Sequence, residues 1–217
     1  MKNDKFCSCG NQDSLHLVYD FGLMPHVNNY KLKDDKGLIP KYPLRLMFCN
    51  KCKLLQLSEM PDREEIYRDY DHISSASPAN TEHLKSISEN INNSESNKKT
   101  ILEVGCNDAT LLRNLNKKFD AYGIDPAINV YQPSDEDSFS IIHDFFDLEC
   151  TKKIKKVIGK PIDIIVGINV FAHNKNYTEM FKAINELLND DGYAHIEVAY
   201  AVDTIMSANF DTIYHEH

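Results

Sequence analysis

Four cysteines stand in two close pairs in the first quarter of the chain, a pattern that suits metal coordination. The pairs are Cys7-Ser8-Cys9 and Cys49-Asn50-Lys51-Cys52. Two thiolate pairs on separate turns can close a tetrahedral site around Zn²⁺ with no open position, so we predict a structural zinc site. The first pair is tighter than the usual C-x-x-C knuckle, and His16 or His26 could replace one ligand. Reduced thiols without a metal are the alternative interpretation.

A glycine turn followed by an acidic residue is the second candidate site. Gly105 follows an apolar run, and Asp125 ends the next apolar run about 20 residues later, where a carboxylate can accept both hydroxyls of a ribose. The strict G-x-G-x-x-G signature is absent, because Asn107 and Ala109 take the later turn positions. A generic Rossmann connection, with Asp125 as a helix cap, is the alternative interpretation.

Glu103, which precedes the glycine turn, helps to identify the ligand. A pyrophosphate prefers bare backbone amides with no carboxylate nearby. A carboxylate beside the turn suits a cationic amino-acid group instead, and S-adenosylmethionine carries an ammonium, a sulfonium and a ribose. We therefore favour S-adenosylmethionine over NAD as the cofactor.

Polar and aromatic side chains follow two further apolar runs, where parallel strands would end at the same crevice. We expect Asp144 to meet the adenine amino group and either Phe145 or Phe146 to lie against the ring. Two core phenylalanines are the alternative. Asn169 and His173 follow the fourth run and should face the ligand, although a lone histidine is more often structural.

The last four residues, Tyr214-His215-Glu216-His217, bring together groups that could transfer a proton. A carboxylate beside an imidazole can fix its tautomer and raise its basicity, as a general base requires. A solvated tail is the alternative. Because a catalytic group on the last residue is poorly anchored, we expect that a native carboxyl-terminal segment or domain is missing.

Apolar runs that alternate with amphipathic stretches predict the elements that position these side chains. The predicted strands cover residues 101–104, 121–124, 140–142, 162–167 and 193–198, and the predicted helices cover residues 110–118, 151–158 and 177–188. Buried strands separated by helices indicate a parallel sheet of βαβ units, an α/β fold. Upstream, helical patterns at residues 62–67 and 81–91 precede a polar run, residues 92–99, that is typical of a linker.

We therefore predict a zinc-binding domain at residues 1–60, a helical connector and linker at residues 61–97, and a Rossmann-like domain at residues 98–217. The 217 residues carry a net charge of −9, which gives no broad basic face for nucleic acid. With 42% hydrophobic and 26% charged residues, the composition excludes a collagen-like, coiled-coil or wholly disordered chain. No apolar stretch is long enough to cross a bilayer, and we find no signal peptide, so we expect a soluble cytoplasmic protein with no membrane partner.

Motifs along nearly the whole chain resemble one family: class I methyltransferases with an amino-terminal zinc-binding domain that C-methylate nucleotide-linked keto-deoxysugars. The matching stretches are Phe21-Gly22-Leu23-Met24-Pro25, Tyr42-Pro43-Leu44-Arg45-Leu46, Cys49-x-x-Cys52 with Gln56-Leu57, Ser74-Ser75-x-Ser77, Glu103-Val104-Gly105-Cys106-Asn107-Asp108, Gly123-Ile124-Asp125-Pro126, Asp144-Phe145-Phe146, Asn169-x-x-x-His173 and Asp211-Thr212-Ile213-Tyr214-His215-Glu216-His217. The resemblance implies a Rossmann-like sheet and a structural zinc.

The resemblance also implies a site for S-adenosylmethionine. Together with the residues argued above, the predicted cofactor site consists of Glu103, Gly105, Asn107, Asp125, Pro126, Asp144, Phe145, Phe146 and Asn169. By position in the family motif, His217 is implied as the base that removes a proton beside a ketone, with Glu216 as its orienting partner. Tyr214 and His173 are implied to stabilise the resulting enolate oxygen.

Residues around Asp71 are implied to touch the acceptor, namely the aromatic Tyr70, His72 and the serines that follow. The chain departs from the family pattern in its C-x-C pair, in His72, which stands where a tyrosine is common, and in the absence of the family's large carboxyl-terminal domain.

These departures leave the acceptor open. The first hypothesis is C-methylation of a nucleotide-linked ketosugar, and the second is O-methylation of a nucleotide- or phosphate-linked precursor of a surface polysaccharide. The residues do not separate the two, because a hydroxyl nucleophile also needs a histidine base. The third hypothesis is an inactive, zinc-stabilised binding module.

Overall fold

The computed structural model describes residues 7–11, 14–27, 32–34, 36–95, 97 and 99–215. The chain divides into two units. The first comprises Met1–Ile66, Ala172–Thr178 and Val198–His217, and the second comprises Tyr67–Phe171 and Glu179–Glu197. The four paired cysteines belong to the first unit, and the glycine turn belongs to the second.

An antiparallel sheet of three strands organises the first unit. Strand β1 (Leu15–Pro25) pairs with β2 (Lys41–Cys49), and β2 pairs with β3 (Leu55–Leu57). Helix α1 (Arg63–Tyr67) follows. The sequence patterns predict no strands here, because the register of β1 shifts between Leu17 and Tyr19 and again between Asp20 and Leu23. Such irregularities break the alternation of buried and exposed side chains by which a strand is recognised.

Five parallel strands form the sheet of the second unit and confirm the predicted α/β fold. They are β4 (Thr100–Val104), β5 (Asp120–Ile124), β6 (Phe139–Ile142), β7 (Ile162–Ile168) and β8 (Leu188–Glu197). Their order in the sheet is β6-β5-β4-β7-β8. In chain order, β5 and β6 are therefore added on one side of β4, and β7 and β8 are then added on its other side. Ligands of open α/β sheets bind at such a reversal, beyond the carboxyl ends of the strands.

Helices cover both faces of this sheet, so alternate residues of β4 belong to two different cores. On one face, Ile101 packs with residues of α2 (Pro78–Ser94) and α3 (Thr110–Arg113). On the other face, Leu102 and Val104 pack with residues of α4 (Thr151–Ile158) and α5 (Tyr177–Leu187). The alternation places the side chain of Glu103 on the same face as Ile101, toward α2 and α3.

Two helix boundaries differ from the prediction, and polar side chains explain both. Helix α3 ends at Arg113 rather than near residue 118, because the amide of Asn114 donates to the carbonyl of Thr110 and closes the turn. Helix α2 continues to Ser94, into the run predicted as a linker. Asn92 is fixed there, since its side chain donates to the carbonyl of Asn114 and accepts from the N–H of Asn116.

Short elements complete the description. Helix α6 (Ala201–Met206) belongs to the first unit, and single 3₁₀ turns occur at Ser74–Ala76, Phe171–His173 and Phe210–Thr212. Within the described ranges, none of the helices has both the length and the apolar character that crossing a membrane would require.

Candidate functional site

The glycine turn lies at the carboxyl end of β4 and is packed tightly against the end of β7. Gly105 has a φ of +69°, and a Cβ added there would lie 2.7 Å from Cγ2 of Val170. Only glycine combines that backbone conformation with so close an approach. Asn107 and Ala109 also have positive φ values, of 50° and 65°. Such backbone strain in non-glycine residues concentrates at ligand sites.

Three carboxylates surround this turn. Glu103 and Asp125 are buried at 4% and 7% exposure, and Asp108 is buried at 6%. Burial raises the pKa of Asp125, although N–H bonds from Ala127 and Asn107 and the nearby His143 oppose it. At Asp108 burial acts in the same direction, but hydrogen bonds from Ser75 and Thr110 outweigh it and lower the pKa.

Glu103 is the least satisfied of the three carboxylates. Burial raises its pKa well above the ordinary value, and the neighbouring charges of Asp125 and Asp108 raise it further. Its Oε2 atom is buried and has no hydrogen-bond partner among the described residues. A buried, unpartnered carboxylate oxygen is costly and calls for a cation or a donor. The arrangement fits the ammonium end of S-adenosylmethionine better than a pyrophosphate.

Asp125 faces the glycine turn and has acceptor capacity left. Its Oδ2 accepts the N–H of Asn107 at 2.8 Å, and its Oδ1 accepts the N–H of Ala127 at 2.8 Å. Each carboxylate oxygen has two lone pairs, so one remains on each for a further donor such as a ribose hydroxyl. Pro126, the residue between Asp125 and Ala127 in the chain, is half-buried.

Of the residues predicted around adenine, Asp144 and Phe145 contact basic side chains, whereas Phe146 belongs to an apolar core. Asp144 accepts from Lys153 at 2.6 Å and from the N–H of Phe145 at 2.9 Å. Burial raises the pKa of Asp144, but the bond from Lys153 leads the opposing contributions and the net shift is downward. The Arg68 guanidinium lies 4.9 Å above the Phe145 ring. Phe146 instead belongs to the apolar core between the sheet and α4.

Asn169 stands just beyond β7, at the point where the strand order reverses. It is exposed, has a φ of 54°, and donates its N–H to the carbonyl of Glu197 at 2.9 Å. The Glu197 carboxylate in turn lies 2.9 Å from Nε2 of His83. The backbone of the predicted asparagine is thus fixed by the end of β8, and the residue is exposed.

A segment before α2, residues 70–76, is attached to the glycine turn by side chains. Asn107 donates to the carbonyl of His72 at 3.0 Å and accepts the N–H of Ser74 at 2.9 Å. Asp108 accepts the N–H of Ser75 at 3.0 Å. The predicted acceptor residue His72 therefore lies beside the predicted cofactor residue Asn107.

Tyr70 is fixed at the other end of the same segment. Its N–H donates to Oδ1 of Asn129 at 3.1 Å, and its carbonyl accepts from Nδ2 of Asn129 at 3.0 Å. The Tyr70 ring also lies edge-on to Tyr67, with centroids 5.5 Å apart, and 6.1 Å from the His72 ring. The structure thus places the two predicted acceptor residues side by side.

The remaining predicted catalytic residues that the structure describes do not belong to the second unit. His173 and Tyr214 lie in the first unit, and Glu216 and His217 lie outside the described residues. Their neighbour His215 is 1% exposed, and its Nε2 lies 3.2 Å from the carbonyl oxygen of Tyr42. Burial lowers the pKa of His215, which favours the neutral imidazole. This histidine is part of the packing of the first unit.

The four paired cysteines converge in the first unit, and neither His16 nor His26 is needed to complete the set. Their sulfur atoms all lie within 4.8 Å of one another, with Cys7 and Cys52 3.5 Å apart and Cys9 and Cys49 4.0 Å apart. A tetrahedron with Zn–S bonds of ~2.3 Å has S···S edges of roughly 3.8 Å. The tight C-x-C pair therefore fits a zinc site as well as C-x-x-C does.

Hydrogen bonds lower the pKa of Cys9 and Cys49, whereas burial raises the pKa of Cys7 and Cys52. Ser14 Oγ lies 3.2 Å from the sulfur of Cys49, and Asn11 donates to the sulfur of Cys9 at 3.0 Å. Burial raises the pKa of Cys49, but hydrogen bonds from Ser14 and from backbone N–H groups outweigh it and lower the pKa to about 6. Such partners around metal-binding sulfurs stabilise the thiolate form.

Sequence reasoning missed three residues of the site: Arg68, Asn129 and Asp108. The first two stand in polar stretches without periodicity, and their roles depend on contacts with residues distant in the chain. Asp108 carried a usable signal, since an aspartate in a strand-to-helix turn commonly accepts backbone N–H groups.

Comparison with known proteins finds two family models along the chain. Residues 67–216 match the family model of a methyltransferase domain, and residues 7–67 match that of a zinc binding domain. The C-methyltransferase NovU of Streptomyces niveus is 27% identical over 217 residues, an alignment that covers 96% of this chain and 50% of NovU.

Two solved methyltransferase structures align with parts of this chain. The plantazolicin methyltransferase BpumL superimposes with a TM-score of 0.45 at 17% identity, covering 64% of this chain and 54% of BpumL. MycE, a methyltransferase from the mycinamycin biosynthetic pathway, gives a TM-score of 0.40 at 16% identity, covering 71% of this chain and 40% of MycE. The chain spans about half the length of NovU and of BpumL.

Proposed function

The chain belongs to the methyltransferase domain family, since that family model matches residues 67–216, and from this premise we propose that it transfers a methyl group from S-adenosylmethionine to a small-molecule acceptor. A structural zinc ion held by the four paired cysteines stabilises the first unit.

The observation that carries this proposal is the buried carboxylate of Glu103. Its Oε2 has no partner among the described residues, and it lies under a turn whose other carboxylates are Asp108 and Asp125. Three acidic groups around one turn disfavour a phosphate and favour a cation. S-adenosylmethionine ends in an ammonium group, which could give Oε2 of Glu103 the partner that it lacks among the described residues.

Other residues of the second unit would hold the rest of S-adenosylmethionine. Asp125 would accept the ribose hydroxyls with its remaining lone pairs, and Phe145, covered on one side by Arg68, would lie against the adenine. Gly105, which packs closely against Val170, would keep the turn free of a side chain beside the cofactor. When bound, S-adenosylmethionine supplies an electrophilic methyl group on its sulfonium.

Calorimetric titration with S-adenosylhomocysteine tests this assignment. We expect the unsubstituted chain to bind, and Glu103→Gln to bind about 10- to 100-fold more weakly, because a charge-assisted hydrogen bond is lost. Glu186→Gln is the matched control, since Glu186 is an exposed carboxylate of the same unit that pairs with Lys155. Absence of binding to the unsubstituted chain would refute methyl transfer and favour a binding module.

For the acceptor, we propose the carbon beside the ketone of a nucleotide-linked sugar. The proposal is supported by the resemblance described above and by the name of NovU, a C-methyltransferase. In this scheme His217 takes the proton from the carbon, Glu216 orients the imidazole, and Tyr214 and His173 stabilise the enolate oxygen. Tyr70 and His72 would contact the sugar.

Solvent deuterium exchange separates this acceptor from a hydroxyl acceptor. A ketosugar nucleotide incubated with the protein in D₂O should take up deuterium beside the ketone. His217→Ala should slow this exchange by about 10²- to 10⁴-fold, the usual contribution of a general base. Methylation of a sugar hydroxyl without exchange would replace the carbon acceptor by an oxygen acceptor.

A further inference from the structure

The segment of residues 70–76, which we call the strap, is held by hydrogen bonds rather than by apolar packing. None of its residues belongs to either apolar core of the described part of the second unit, and Ile73 is 41% exposed. Three of its backbone N–H groups, those of Tyr70, Ser74 and Ser75, donate to side chains of other segments. Segments held in this way have low local stability and respond to small changes in their partners.

Side chains from the two loops on either side of Asp125 hold the strap, and Asn80 and Thr81 of α2 also donate to the carbonyls of Ser74 and Ser75. Asn107 and Asp108, in the glycine turn, hold His72, Ser74 and Ser75. In the loop after β5, Asn129 holds both the N–H and the carbonyl of Tyr70.

The carboxylate of Asp125 joins these two loops. Its Oδ2 accepts the N–H of Asn107, and its Oδ1 accepts the N–H of Ala127, two residues before Asn129. Asn107 therefore contacts Asp125 with its backbone and the strap with its side chain. Its φ of 50° is a conformation that asparagine and glycine tolerate.

We propose that Asn107 and Asn129 are positioning residues that couple the cofactor side of the site to the acceptor side, so that a ligand bound at Asp125 orders the strap carrying Tyr70 and His72. The inference rests on the proposed function, since it takes Asp125 as the residue that meets the cofactor ribose. A ligand that fixes the Asp125 carboxylate also fixes the two loops bonded to it, and the strap then loses less freedom on meeting an acceptor. Coupling of this kind is reciprocal, so a bound acceptor tightens the cofactor equally.

Amide hydrogen exchange measured with and without S-adenosylhomocysteine tests the coupling. In the unsubstituted chain, we expect the ligand to slow exchange of the peptide covering residues 70–76 by about tenfold or more. Asn107→Gly keeps the backbone conformation and the N–H to Asp125 but removes both bonds to the strap. In this variant the strap should exchange fast both without the ligand and at ligand concentrations that saturate the variant by calorimetry.

Substitutions of Asn129, one of them conservative, provide a second test of the coupling. Asn129→Ala should also lower the ligand-dependent protection, and Asn129→Asp, which keeps an acceptor for the Tyr70 N–H, should restore part of it. Asn92→Ala is the matched control, because Asn92 makes the same kind of paired bonds to Asn114 and Asn116 but not to the strap. It should leave the protection of the strap unchanged.

The outcomes separate this inference from the proposed function. If S-adenosylhomocysteine binds by calorimetry but strap exchange does not change, the coupling is wrong and the cofactor site stands. If Asn92→Ala reduces the protection as much as Asn107→Gly does, the asparagines act only on general stability and the coupling is also wrong. If the ligand does not bind at all, both proposals are overturned.

Discussion

The cysteine cluster and the glycine turn are both tightly built, but only the cluster is complete in itself. Four sulfur atoms within 4.8 Å of one another offer a metal its full set of ligands. The glycine turn instead leaves Oε2 of Glu103 buried without a partner among the described residues. A closed set of ligands indicates a structural role, and an incomplete set indicates a site that a ligand completes. The comparison indicates a structural role for the cysteine cluster and is consistent with a binding role for the glycine turn.

Substitution of a cysteine gives the largest expected effect. Cys49→Ser removes one of four ligands, and apparent zinc binding energies of ~10–16 kcal/mol in small domains exceed their folding stability, so the first unit should lose its metal and unfold. Metal content by mass spectrometry of the purified protein checks this. Cys150→Ala, which alters a buried thiol of the second unit, should keep the zinc. Full zinc occupancy in Cys49→Ser would show that the four cysteines are not a closed set of zinc ligands, and the contrast with the glycine turn would be lost.

Gly105→Ala should have the next largest effect. The added Cβ meets Val170 at 2.7 Å, and the positive φ is unfavourable for alanine, so we expect a loss of about 2–5 kcal/mol of unfolding free energy and weaker ligand binding. Gly159→Ala is the control, because Gly159 has a φ of 70° but no atom within 4 Å of the added Cβ. The unfolding free energies of the two variants, measured with denaturant, should differ by the cost of overpacking against Val170. Equal losses would show that Val170 does not confine the turn.

Proton release on cofactor binding gives a smaller effect that depends directly on Glu103. Burial, and then the charges of Asp125 and Asp108, raise its pKa in the ligand-free protein, whereas a bound ammonium would lower it. Binding therefore releases a proton, and affinity should rise with pH between the lower bound-state pKa and the higher free-state pKa, by at most tenfold per pH unit.

Titration with S-adenosylhomocysteine in two buffers of different ionisation enthalpy measures this proton release. Glu103→Gln should abolish most of it, and Asp125, Asp108 and the Cys106 thiol, which also lie near Glu103, account for any remainder. An unchanged proton count in Glu103→Gln would show that the buried carboxylate is not the group that the ligand meets.

Arg68→Met should have the smallest effect. A cation over an aromatic ring contributes about 0.5–1 kcal/mol at a partly exposed site, so we expect the affinity for S-adenosylhomocysteine to fall by roughly two- to fivefold. Arg63→Met, at the start of α1, serves as the control. A loss as large as that of Glu103→Gln would mean that Arg68 contacts the ligand directly.

The sheet of the second unit could be predicted from sequence because its strands are buried on both faces. Runs such as residues 101–104 and 162–167 are apolar apart from Glu103 and Asp163, and their order along the chain fixes which side chains reach the carboxyl ends. The positions of Gly105, Asp125 and Asn169 just beyond the ends of strands follow from that order alone.

The rest could not be predicted, for physical reasons that differ by region. The strands of the first unit contain bulges that remove periodicity. The bonds of Asn107 to His72 and of Asn129 to Tyr70 join side chains to backbone atoms of distant residues, and no pattern of residue types records them. The proposed base His217 lies outside the described residues and stays a prediction.

The length of α2 has a practical consequence for dissecting the protein. Leu84, Ile87 and Ile91 of this helix line one face of the parallel sheet, and Asn92 joins its end to the loop after α3. An expression fragment starting within residues 92–99 would lack this helix and would expose Ile101 and Leu111 to water. The smallest autonomous fragment that retains the sheet must therefore start upstream of Pro78.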